Sequence, residues 1–267
     1  MRRTLPSTGR VLARAPRVRY RVAVITNTCS FVGSDASPLG LFGCGAPAIA
    51  RPAGAIERVA LSATSWVDHC PGWLGGSDEL FERLLDRSRW QQFRRTMYGR
   101  RVDDPRLTAW FGPGEDRPDE VLEEAASVLG AHYGVAFGRL ALNLYRDGSD
   151  GVAWHADRIG RSAPEPVIAI VALGAPRPFV IRPRGGGPTR RFSTGFGDLL
   201  VMGGRCQQEF EHAVPKLAHA APRISVMFRE IDDRPPGDLV QVVPGSRLRT
   251  SSSPSSTVAI RPSSWAS

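Results

Sequence analysis

From residue 139 onward, apolar side chains recur at every second position. In RLALNLYR (139–146), Leu140, Leu142 and Leu144 share one face of an extended strand, and Ala141, Asn143 and Tyr145 share the other, because successive strand residues point to opposite sides. RISVMFR (223–229) repeats the scheme, with Ile224, Val226 and Phe228 set against Arg223, Ser225, Met227 and Arg229. PVIAIVAL (166–173), FVIR (179–182), RRFST (190–194) and DLLVM (198–202) read as further short strands between Gly and Pro. No helical period lies among them. Such a series predicts an antiparallel sandwich or jelly roll.

Upstream, the period changes to that of a helix. SDELFERLLDR (77–87) offers Ser77 as N-cap and acids in its first turn, followed by Leu80, Phe81, Leu84 and Leu85 at helical spacing. DEVLEEAASVLGAHY (119–133) gathers Val121, Leu122, Ala125, Val128 and Leu129 on one face. His132 near that face reads as a helix-end or surface histidine. The expected fold is mainly β, of the α+β kind, with N-terminal helices packed on the strand region. Four segments follow: a basic, disordered tail at 1–37, a helical segment at 38–135, a strand core at 136–230, and a Ser/Pro-rich tail at 231–267.

Composition narrows the class. The 267 residues, 42% of them apolar, suffice for one sizeable core. No apolar run approaches the roughly 18–20 residues of a membrane span. Cys29, Cys44, Cys70 and Cys206 form no C-x-x-C pair, which argues against structural zinc and against a disulfide scaffold. A monomer in a reducing cytoplasm is expected. The net charge of +9 invites a nucleic-acid reading. However, residues 1–37 alone hold seven arginines and one acid, so most of that charge belongs to the tail. The run VAVI (22–25) is too short for a secretory apolar region, so a leader for secretion is not expected. An arginine-rich, acid-poor tail also fits an organelle transit peptide or a misplaced start.

AWHAD (153–157) changes the picture most. On a strand, His155 and Asp157 would face the same side about 6.5 Å apart, within reach of one ion. H-x-D alone is weak in a chain with five histidines. His212 in FEHAVPK lies 57 residues after His155. Two histidines and one carboxylate make a facial triad, which leaves three octahedral positions open and is diagnostic of non-haem Fe(II) oxygenases. The open positions take a bidentate 2-oxo acid and O2. Arg223 and Arg229 on one strand face can turn to a carboxylate, which guanidinium binds bidentately. Asn143 and Tyr145 offer an amide and a phenol beside it. For each strand taken alone, a solvated polar face is the plainer alternative.

LNLYRDGSDGVAWHAD (142–157), IAIVALGAPRPFVIRPRGGG (168–187), GDLLVMGG (197–204), EHAVPK (211–216) and PRISVMFR (222–229) together resemble the AlkB family of 2-oxoglutarate/Fe(II)-dependent dioxygenases, in its bacterial form. The resemblance covers roughly residues 56–230. It implies a double-stranded β-helix and oxidative removal of alkyl groups from nucleobases. It implies Fe(II) on His155, Asp157 and His212, which are also the catalytic set. It implies 2-oxoglutarate held by Asn143, Tyr145, Arg223, Ser225 and Arg229, with Arg223 on the distal carboxylate and Arg229 supporting the inner end and Asp157. RRTMYGRRVDDPRLTAWFG (94–112) resembles the family's nucleotide-recognition lid, which assigns that role to part of segment 38–135.

A flipped base needs an aromatic face to stack on. Trp110 is the first candidate, although a lone Trp is as often core, and Tyr98 is the second. Arg94 and Arg95 can meet phosphates, and Arg184 in RPRGGG can reach the nucleotide. Two departures stand out. Many members follow H-x-D with acids, where this chain has Arg158, Ile159, Gly160 and Arg161. Ser225 stands where several members have Asn. The expected activity is Fe(II)/2-oxoglutarate/O2-dependent dealkylation of single-stranded or flipped bases in DNA, with RNA the second polymer, releasing formaldehyde, succinate and CO2. The alternatives are an oxygenase acting on a small molecule and a metal-free, non-enzymatic nucleic-acid-binding jelly roll.

Overall fold

The computed structural model describes residues 45–97, 100–157 and 165–230. The expected tails at 1–37 and 231–267 lie outside them. The first half holds β1 (Ala48–Ile49), β2 (Glu57–Ala60), β3 (Ser65–Cys70), β4 (Leu74–Gly75), α1 (Ser77–Arg87), β5 (Arg94–Met97), β6 (Arg100–Asp103), β7 (Leu107–Phe111) and α2 (Val121–Tyr133). The second half holds β8 (Arg139–Tyr145), β9 (Val152–His155), β10 (Ile168–Gly174), β11 (Arg177–Pro183), β12 (Arg190–Thr194), β13 (Asp198–Gly204), α3 (Cys206–Glu209), β14 (Phe210–Val214) and β15 (Arg223–Arg229).

Seven strands form one antiparallel sheet in the order β2-β3-β13-β10-β15-β8-β7, and four form a second, β12-β11-β14-β9. Strand alternation divides the core in two. Leu140, Leu142, Val171, Leu199, Val226 and Phe228 leave the large sheet on one side and pack with Leu80, Leu84, Leu122 and Leu129 of α1 and α2. Tyr145, Ile170, Leu200 and Met202 leave it on the other and meet Phe179, Ile181 and Val214 of the small sheet. Both faces of the central strands are therefore buried, which is why PVIAIVAL and DLLVM read as unbroken apolar runs. Each fully buried leucine contributes about 1.5–3 kcal/mol. The result is a jelly roll, a double-stranded β-helix whose large sheet carries the helices.

Three strands of the large sheet, β2, β3 and β7, come from the segment that shows only helices by periodicity. Polar residues at buried positions hide their alternation. Asp68 on β3 is 2% exposed. Arg58 reaches both its oxygens at 2.8 Å, and the Tyr133 hydroxyl donates to it at 3.0 Å. Thr108 on β7 is also buried, with its Oγ1 bonded to Asn143 Oδ1 at 2.9 Å.

Helix ends depart slightly from expectation. Gly76, not Ser77, caps α1, with φ of 62°. A Cβ there would lie 2.4 Å from the Gly45 carbonyl oxygen, so glycine alone fits and Ser77 becomes the first, buried helical residue. α2 starts at Val121 rather than at 119, preceded by Asp119, whose Oδ1 accepts the Val121 N–H at 3.3 Å. Asp119 also pairs with Arg83 and Arg87 of α1 at 3.2 and 3.3 Å, joining the two helices. His132 is exposed, its ring edge-on to Tyr133. Among the described residues no helix is long and apolar enough to cross a membrane.

Candidate metal and co-substrate site

His155 ends β9 and lies opposite His212 of β14 in the ladder. Both imidazoles face the interior between the sheets, with ring centroids 4.3 Å apart. His212 stacks on Phe179 at 5.2 Å. Asp157 follows two residues beyond β9, and its Oδ2 is 3.6 Å from His212 Nε2. One ligating atom from each of His155, Asp157 and His212 lies within 4.8 Å of the others, a spacing that can hold a metal ion. His155 Nδ1 is 2.8 Å from the Ala153 carbonyl oxygen. A carbonyl only accepts, so Nδ1 carries the proton and Nε2 is left to ligate.

The protonation states suit a cation. Burial raises the Asp157 carboxyl, but the Arg229 guanidinium and the two imidazoles outweigh it and bring it down to about 2. Burial, reinforced by His155, lowers His212 to about 3, and burial lowers His155 as well. At neutral pH the trio is one carboxylate and two neutral imidazoles, the forms a metal requires. Arg229 Nη2 donates to Asp157 Oδ1 at 2.6 Å, leaving Oδ2 free.

β8 and β15 build the adjoining wall. Their register sets Arg223 opposite Tyr145 and Ser225 opposite Asn143. Asn143, Tyr145, Ser225 and Arg229 line the same cavity as the three triad residues. Arg223 does not line it. It is 1% exposed and lies beside Tyr145, its Cζ 5.9 Å from that ring. Its Nη2 donates to Thr194 Oγ1 at 2.9 Å, while Nε and Nη1 are buried without a partner. Burial, helped by nearby Arg177, lowers this guanidinium to about 10. Such a buried, half-bonded cation is costly alone. A carboxylate reaching in past Tyr145 would supply the missing acceptors. Arg229 Nε is likewise unpartnered. Both orphans fit a dicarboxylate laid between Arg223 and the triad.

The 2OG-Fe(II) oxygenase superfamily matches residues 71–229. The "Alpha-ketoglutarate-dependent dioxygenase alkB homolog 3" of Bos taurus is 32% identical over 210 residues, 68% of this chain and 72% of that one. Its Homo sapiens counterpart is 30% identical over the same shares. The "DNA oxidative demethylase ALKBH2" of Arabidopsis thaliana is 34% identical over 134 residues, 41% of this chain and 42% of that one.

The chain belongs to the AlkB family of 2OG-Fe(II) oxygenases. It is a dioxygenase, and the family's Fe(II), 2-oxoglutarate and O2 are its metal and co-substrates.

The mouth of this AlkB-family cavity differs in character. Trp110 of β7 lines it half-buried, on the face that carries Thr108 and pairs with Asn143 and Ala141. Arg106, one residue before β7, lines it too, and its Nε and Nη1 are buried without a partner. Periodicity does not single out Arg106, although Arg106, Thr108 and Trp110 are spaced by two and would share a strand face. Arg184 is not at the cavity: it is exposed, and its Nη2 donates to the Gln207 carbonyl at 2.8 Å. Arg94 is exposed and pairs with Asp103 across the β5–β6 hairpin. Tyr98, the Arg95 side chain and the segment with Arg158 and Arg161 lie outside the described residues. Gln207, fully buried on α3, is a residue periodicity does not single out either.

Proposed function

We propose that the protein removes alkyl groups oxidatively from nucleobases in nucleic acid, DNA first and RNA second, acting on single-stranded or flipped bases. One observation carries this reading: a flat aromatic, Trp110, and the Arg106 guanidinium, whose Nη2 pairs with Asp104 at 3.7 Å but whose Nε and Nη1 have no partner, line the same cavity as His155, Asp157 and His212. Stacking plus a hydrogen-bond donor is what a displaced base requires. The relatives named as DNA oxidative demethylases support it.

In this reading His155, Asp157 and His212 hold the iron. Asn143, Tyr145, Ser225 and Arg229 line the co-substrate's bed, with Arg223 receiving its distal carboxylate. When bound, iron and 2-oxoglutarate supply the oxidising chemistry, consuming O2 and yielding succinate, CO2 and a hydroxylated N-alkyl carbon that leaves as formaldehyde. Arg229 fixes one oxygen of Asp157 so that the other faces the metal position. Val152, Ile170, Phe179, Val214 and Met227 form the apolar part of the wall and keep bulk water from the reacting carbon. Trp110 holds the base flat at the entrance, and Arg106 donates to its polar edge.

The test compares succinate formation on 1-methyladenine or 3-methylcytosine oligonucleotides with that on free methylated nucleosides. Turnover stimulated by the oligonucleotides, with release of formaldehyde, is expected. Stimulation by neither points to a small-molecule substrate and overturns the proposal.

A further inference from the structure

Two hydrogen bonds hold Asp157, and only one of them involves its charge. Oδ1 takes Arg229, while Oδ2 stays free, 3.6 Å from His212 Nε2. The other bond is from its backbone N–H, which donates to Gln207 Oε1 at 2.8 Å. Asp157 lies beyond the end of β9, past the last ladder pair, His155 with His212. The sheet therefore does not fix its main chain; Gln207 does.

The setting of Gln207 is specific. It is 0% exposed, on the one-turn helix α3 that leads from β13 to β14 and thus to His212. A buried amide is costly unless its groups are bonded. Among the described residues its Nε2 meets the thioether of Met202, at 3.6 Å, a weak acceptor. The strong bond is the one to Asp157. The helix is in turn fastened from the β11–β12 turn: Arg184 Nη2 donates to the Gln207 carbonyl at 2.8 Å, and the Arg184 N–H to the Glu209 carbonyl at 2.9 Å.

We propose that Gln207 is a positioning residue of the metal centre. Its amide oxygen fixes the Asp157 main chain so that Oδ2, the oxygen Arg229 leaves free, stays aimed at the point where the ligating nitrogens of His155 and His212 converge. The inference rests on reading those three residues as the metal ligands. Outer-shell partners of this kind typically cost 10–100-fold in metal affinity or activity when removed.

Co(II) titration of the metal-free full chain, followed by the ligand-field absorption of the bound ion, tests it without turnover. Gln207→Met keeps the shape, removes the acceptor and suits the neighbouring Met202 and Cys206. It should melt near the wild-type temperature, bind Co(II) roughly 10–100-fold more weakly and show an altered spectrum. Gln207→Glu keeps an acceptor oxygen and should recover most of the affinity. Wild-type affinity and spectrum in folded Gln207→Met overturn the proposal. Should that variant not fold, a tenfold or greater loss in folded Gln207→Glu overturns it as well. Wild-type protein that binds no Co(II), or His212→Ala that binds it unchanged, overturns the ligand reading itself, an outcome distinct from either.

Discussion

The two ends of the cavity stand on different footings. At the inner end, β8, β14 and β15 are each paired on both sides, and the side chains gathered there arrive already bonded: His155, at the end of the edge strand β9, to Ala153, Asp157 beyond it to Arg229, and Arg223 of β15 to Thr194. At the mouth, Trp110 and Arg106 belong to β7, an edge strand, and to the turn before it. Next to them in sequence, the β5–β6 hairpin pairs only with itself among the described residues, and it leaves Phe93 43% and Val102 44% exposed. The inner end is a fixed frame for small, constant ligands. The mouth carries fewer commitments, as the proposed nucleic-acid substrate, a large and variable polymer, would require. Removing an inner residue should therefore stop the chemistry, whereas removing a mouth residue should change only which substrate is served.

The largest effect is expected from Asp157→Ala. The metal loses its one anionic ligand, so 2-oxoglutarate turnover should disappear with and without nucleic acid. Succinate assays under both conditions check this, and full turnover in the variant would break the comparison at its inner end. Arg223→Ala comes next. A hydrogen bond to a charged group is worth about 1.5–3 kcal/mol, so the KM for 2-oxoglutarate should rise roughly 10- to 150-fold while Co(II) binding stays near wild type. An unchanged KM would remove Arg223 from the co-substrate bed. At the mouth, Trp110→Ala should cost about 1–3 kcal/mol in kcat/KM for a methylated oligonucleotide. Decarboxylation of 2-oxoglutarate without substrate should persist. Its loss would mean that Trp110 supports the frame rather than the base.

The inner end was legible because its residues alternate on strands whose other face is apolar. Leu140, Leu142 and Leu144 fix which way Asn143 points, and Ile224, Val226 and Phe228 do the same for Arg223 and Ser225. His155 and Asp157 are weak as an H-x-D pair alone and gain weight only together with His212 and the strand-face residues Asn143, Tyr145, Arg223 and Arg229. Two kinds of residue escaped. Arg106 sits just before a strand whose pattern is blurred by buried Thr108 and Ala109, so its alternation with Trp110 does not announce a face. Gln207 lies on a single helical turn, too short for any period, and acts through a main-chain group that no side-chain motif records. The same blurring hid β3, where Asp68 occupies a core position that only the Arg58 and Tyr133 partners make tolerable.

The smallest expected effect asks how firmly α3, and with it Gln207, is anchored in the frame. Glu209 ends this helix, and its carboxylate accepts from the hydroxyls of Ser62, Thr64 and Ser65 at 2.8, 2.8 and 2.7 Å. Arg205 adds a contact at 3.1 Å. The Ser65 hydroxyl bond, followed by those from Thr64 and Ser62, holds Glu209 down to about 2, against an ordinary value near 4.5. Between those pH values the unfolded chain binds a proton that the folded chain refuses, so folding loses stability as the medium is acidified. The contribution is complete above about pH 4.5 and gone once pH falls through about 2. Glu209→Gln keeps the shape but not the charge. It should lower Tm slightly at neutral pH and flatten the fall in Tm over that acid window, with wild-type turnover of 2-oxoglutarate at neutral pH if Gln207 stays in place. A wild-type Tm profile in the variant would show that the three hydroxyls do not anchor α3. The flattened profile joined to a loss of Co(II) affinity would place Glu209 in the same positioning chain as Gln207, extending the fixed frame from the triad out to the β2–β3 turn.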